Sequence, residues 1–109
     1  MGKVLNLIID MEGLELPPPD KEKTPQELVA IVLHNIMYSY ARNGLKKDER
    51  KQYYKVVDVI DKAVKGKQDS VELEDTSIGF IRKCQREASM APNRLLQRVE
   101  DLIDSIKDR

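Results

Sequence analysis

Cysteine, histidine and phenylalanine occur once each in the sequence, as Cys84, His34 and Phe80, and its five glycines are scattered. A lone cysteine cannot close an internal disulfide, which fits a reducing compartment. One cysteine and one histidine cannot supply the three or four ligands of the common zinc sites. No H-E-x-x-H helix, calcium loop, Walker loop or G-x-G-x-x-G pattern is present. Long apolar runs are missing as well. The longest uncharged stretch, Leu28 to Ala41, has 14 residues and contains His34, Asn35 and Ser39. A membrane span needs about 20 apolar residues, so this stretch is expected to be a buried helix. Met1 to Ile9 lacks the features of a secretion signal, and Asn6 stands where myristoylation requires Ser or Thr. The expectation is a cytoplasmic protein with no membrane association, no cofactor, no metal and no small-molecule substrate.

The 109 residues suit one domain, expected to cover 1–109. An apolar share of 40% can fill a core, and a charged share of 35% can cover it. Nineteen basic and nineteen acidic residues cancel, which is unlike the strong net charge of a disordered chain. The charges nonetheless come in blocks. Met1 to Glu27 is net −3, Arg42 to Lys67 is +5, Asp69 to Asp75 is −4, Arg82 to Arg98 is +4 and Glu100 to Arg109 is −2. Such blocks more often serve packing and solubility than an external partner.

The fold class read from the pattern is mostly α within an α+β architecture: an N-terminal β-hairpin followed by a compact bundle of four helices. The hairpin is expected over 1–16, pairing the aliphatic run Val4 to Ile9 with Leu14-Glu15-Leu16 through a turn at Gly13. A proline-rich linker over 17–23 leads into the helical part, 24–109. Thr24, Pro25 and Glu27 spell a capping box at the start of the first helix. Its apolar residues cover most of its circumference, which predicts a central position. Tyr53, Val56, Val57, Ile60, Ala63 and Val64 set one face of a second helix over Lys47 to Lys65, with Gly66 as its cap. Val71-Glu72-Leu73 reads as a brief strand, set against the hairpin. A third helix starts near Glu74 or Asp75 and buries Ile78, Ile81, Cys84 and Ala88. A fourth starts at Pro92 and buries Leu95, Leu96, Val99, Leu102, Ile103 and Ile106.

Candidate chemistry is sparse. His34 and Cys84 are the one conceivable nucleophile and base pair, but their positions read as a helix histidine and a core thiol. The carboxylate pairs Asp48-Glu49 and Glu74-Asp75 sit where helix macrodipoles favour negative charge. Basic residues Arg82, Lys83, Arg86, Arg94 and Arg98 flank a short break, as in a helix-turn-helix, and are the candidate nucleic-acid contacts. A second basic surface is Lys46, Lys47, Arg50, Lys51 and Lys55. For protein contact the candidates are Val4, Leu5, Leu7 and Ile9 on an exposed hairpin edge, with Tyr38, Tyr40 and Tyr54.

The chain also resembles a group of small tailed-phage and prophage proteins of about this length. The likeness lies in Val4-Leu5-Asn6, Met11-Glu12-Gly13, Leu14-Glu15-Leu16 and the aliphatic helix opened by Thr24. It continues through Lys47 to Lys51 with the tyrosines beyond, Val71 to Asp75, and the final helix begun at Pro92. The three prolines before the first helix and the charged tail depart from that pattern. Proteins of that group are generally of unassigned function, so the resemblance implies a phage or prophage origin in a bacterial host. The sparse chemistry of the sequence adds the expectation of a cytoplasmic accessory protein that is not an enzyme. It would work by binding a protein partner or a second copy. The alternative is a DNA-binding regulator or packaging factor using the basic residues of the third and fourth helices.

Overall fold

The computed structural model describes residues 2–16 and 21–108. Four helices and three short strands follow in the order β1 (Gly2–Asn6), α1 (Pro25–Ala41), α2 (Lys47–Lys65), β2 (Ser70–Glu74), α3 (Asp75–Glu87), α4 (Arg94–Asp104) and β3 (Lys107–Asp108). The chain is therefore an α+β globule in which an antiparallel strand pair accompanies four helices. The predicted linker residues Pro17 to Asp20 lie outside the described residues.

The second strand of that pair comes from far along the sequence. β1 pairs antiparallel with β2, Leu5 opposite Val71, and on its other side with β3, giving the sheet order β2-β1-β3. Leu14 to Leu16, expected as the return strand, form none. The reason lies in the polar residues that follow β1. Asn6 Oδ1 accepts from the Ile8 amide and Asp10 Oδ1 from the Glu12 amide, both at 2.9 Å. Each side chain satisfies a backbone donor locally and turns the chain away from a ladder. Gly13 adopts the positive φ (78°) foreseen for it, but in a loop.

Helix starts follow the sequence closely. Thr24 Oγ1 accepts from the Glu27 amide while Glu27 Oε1 accepts from the Thr24 amide, a complete capping box. α2 occupies the predicted Lys47–Lys65 and ends at Gly66. α4 begins at Arg94, later than expected, because Asn93 caps it by accepting from the Leu96 amide at 2.7 Å. Asn93→Ala leaves that amide without its partner and is expected to lower stability by about 1 kcal/mol. A thermal midpoint about 4–8 °C lower in a melting scan would show it.

One hydrophobic cluster joins the inner sheet face to all four helices. α1 touches α2, α3 and α4 and buries Leu28, Val29, Val32, Leu33, Ile36 and Met37. Its amphipathic contrast is weak for that reason: it is packed on most sides. Phe80, off the predicted stripe of α3, is buried as well and widens that helix's core contact.

Candidate functional site

The seam between α1 and α2 is held from both ends. Near the connecting loop, the Tyr40 hydroxyl donates to Glu49 Oε2, and Lys83 of α3 places its Nζ 3.4 Å from the same oxygen. The Lys83 Nζ also lies 5.8 Å from the centre of the Tyr40 ring, whose edge meets Phe80. The hydrogen bond from Tyr40 holds the Glu49 carboxyl below its ordinary value and pushes the tyrosine hydroxyl up. The same cluster raises the Lys83 ammonium, through Tyr40 first and Glu49 second. Tyr40→Phe removes the shared hydrogen and is expected to cost about 1–2 kcal/mol, read from a denaturant titration.

Two turns earlier on α1, His34 Nε2 sits 3.1 Å from Asp61 Oδ1 of α2. That is an ion-pair distance, but its alignment falls short of a hydrogen bond, and the nitrogen is shielded from solvent. The contact marks the outer side of the seam. With about 100° per residue, Tyr38 lies about 40° round α1 from His34, and Tyr54 about 20° round α2 from Asp61. Both rings therefore face outward on the same side of the seam. They are exposed to 63% and 62%, and Ile31, one turn before His34, to 38%. Arg42, Lys46, Lys47 and Lys51 continue this side toward the loop, all at least partly exposed. Among the described residues, Arg42, Lys47 and Lys51 have no ion pair.

The candidate protein-contact residues divide between surface and interior. Tyr38 and Tyr54 are presented to solvent. Tyr40 is half-buried and committed to Glu49. Leu5, Leu7 and Ile9 are buried, and Val4 is half-buried. The expected open edge is absent because β1 is the middle strand, with β2 and β3 on its flanks. Ile31, one of the aliphatics expected to wrap the circumference of α1, faces water instead. The signal lies in its spacing: it shares a helix side with Glu27, Asn35 and Tyr38.

The basic residues of α3 and α4 are largely occupied. Arg82 donates to the Ile106 carbonyl at 3.4 Å, and Lys83 belongs to the Glu49 cluster. Arg98 donates to the Asp10 carbonyl and so clamps the loop after β1 onto α4. Arg94 reaches Gln97 of its own helix at 2.8 Å. Arg86 is exposed and without an ion pair among the described residues. Six residues, 88–93, separate α3 from α4, where a helix-turn-helix uses a turn of about three or four.

His34 and Cys84 are not brought into hydrogen-bond contact. Cys84 is buried on α3, where burial, with Glu49 adding to it, pushes its thiol up to about 12. An open cleft of about 500 Å³ lies where α1, α3 and α4 meet. Ile36, Ala88, Met90 and Leu96 line it beside Gln85 and Glu100. Among the described residues no group of three or more His, Cys, Asp or Glu could hold a metal ion, and no helix is long and apolar enough to cross a membrane. No protein-family model, curated protein or solved structure matches the chain.

Proposed function

We propose that this protein is a non-enzymatic accessory factor of the tailed-phage kind its sequence resembles, acting in the bacterial host by binding another protein. The contact surface is the outer side of the α1–α2 seam. The observation that carries this reading is the pair Tyr38 and Tyr54, each more than 60% exposed and turned to the same side beside Ile31. Tyrosine offers a large, stiff, amphipathic ring and is enriched at interfaces and their hot spots. Among the described residues no side-chain hydrogen bond or ring contact engages these two tyrosines beyond the edge contact of Tyr54 with Tyr53.

The reading is tested by placing a photo-crosslinking phenylalanine derivative at position 38, 54 or 76 in cells that make the partner. Thr76 is an exposed control at the start of α3. Adducts of one defined mass from 38 and 54, and none from 76, are the expected result. Equal labelling at all three positions, or none at any, would sink the proposal.

A further inference from the structure

The proposed contact side is polarised, and the polarity says what should cover it. At the loop end stand Arg42, Lys46, Lys47 and Lys51, with Lys51 and Lys47 one and two turns before Tyr54 on α2. In the middle are the two exposed rings. At the far end, Asp58 and Asp61 share the α2 side that bears Tyr54, and Asp61 meets His34, one turn after Ile31 on α1. From Ile31 to Arg42 the α1 axis rises about 16 Å, the length of three helical turns.

We infer that this side receives an amphipathic helix of the partner protein, about three turns long, acidic at the end that lies over Arg42, Lys47 and Lys51. This rests on the protein-binding reading above and adds the partner's chemistry to it. An apolar stripe at i, i+3, i+4 and i+7 would cover Tyr38, Tyr54 and Ile31, as in helix-in-groove recognition. Carboxylates at one end would meet cations that have no ion pair among the described residues, so that their attraction is still available to a partner. A single-stranded nucleic acid would also stack on exposed tyrosines and neutralise lysines. It is the poorer match, because its uniform negative charge would run onto Asp58 and Asp61, and Ile31 offers a base nothing to pair with.

The experiment uses the intact protein and three probes: two synthetic 14-residue helical peptides with the same apolar stripe, and a labelled dT12 oligonucleotide. One peptide carries three glutamates at one end, and the other carries three lysines there. Binding is read from amide shifts of the 15N-labelled protein and from peptide anisotropy. The glutamate peptide should bind at least tenfold more tightly than the lysine peptide, shift residues around Tyr38 and Tyr54, and weaken as salt is raised. K47E/K51E should reverse the preference while moving the thermal midpoint by no more than a few degrees, since both side chains are exposed and glutamate is as good a helix former as lysine. Equal binding of the two peptides, binding at other residues, no binding, or tighter binding of dT12 would each overturn the inference. Its failure is separable from that of the protein-binding reading. If crosslinks at 38 and 54 persist undiminished in K47E/K51E, the partner is a protein but its acidic end is not the determinant.

Discussion

Leu33→Ala is expected to be strongly destabilising. Leu33 is fully buried in the middle of α1, the helix that meets α2, α3 and α4 at once. Truncation removes its transfer free energy and opens a cavity that neighbours on three sides cannot collapse into, because each is fixed by the others. The expected cost is about 3–5 kcal/mol. A domain of this size commonly has a total of about 5–15 kcal/mol, so a large part of the margin is lost. The thermal midpoint should fall by about 12 °C or more, and the urea midpoint should fall without a change in slope. Ile31→Ala, two residues away on the opposite, water-facing side of the same helix, serves as the control. It should shift the midpoint by only a few degrees. If the two variants melted together, the central position of α1 would be wrong.

Cys84 is expected to be nearly inert in the folded state. Its thiol is fully buried, and its ionisation is pushed from 9.0 to about 12. Because only the thiolate attacks, a rise of this size cuts the reactive fraction at neutral pH about a thousandfold, before any effect of access. Ellman's reagent should therefore label the native protein at least about a thousandfold more slowly than the protein in guanidinium. Labelling at the denatured rate would show that α3 does not hold the residue in the core. The raised thiol has a consequence for stability as well. A thiol whose folded value lies above its unfolded one favours the native state below pH 9, and that contribution is lost as pH rises from 9 toward 12. Tyr40 and Lys83 are also raised and act in the same direction at slightly higher pH. Glu27 and Glu49 are lowered, so their contribution is held above about pH 4.5 and lost below it. Melting temperature against pH should show a plateau between these limits.

Local signals carry the helices. The Thr24 capping box, the apolar period of Tyr53 to Val64 and the glycine after Lys65 are all written within a few residues, so α1 and α2 can be placed from them. The end of α3 and start of α4 are less legible, since Pro92 is a strong marker but Asn93 is the better cap. The pairing of β1 cannot be read locally at all. Which of two short strands lies beside β1 depends on a packed core that brings Ser70–Glu74 alongside, while Asn6 and Asp10 turn the nearer candidate away. The same long-range pairing explains the buried fate of Leu5, Leu7 and Ile9. Tyr38 and Tyr54 are legible as surface rings because they fall off the apolar stripes. Tyr40 is not separable from them in sequence, because its tie to Glu49 and Lys83 joins three helices.

The middle position of β1 also sets an order of events during synthesis. Gly2 pairs with Glu74, and Lys3 with Asp108, so β1 finds its neighbours only after Ser70–Glu74 and Lys107–Asp108 have left the ribosome. Until then Leu5, Leu7 and Ile9 have no ladder to join, while α1 can already form. The nascent chain thus carries an unpaired greasy segment until β2 has been made. Chaperones that hold extended aliphatic segments would find their binding site there, and it vanishes once β2 docks.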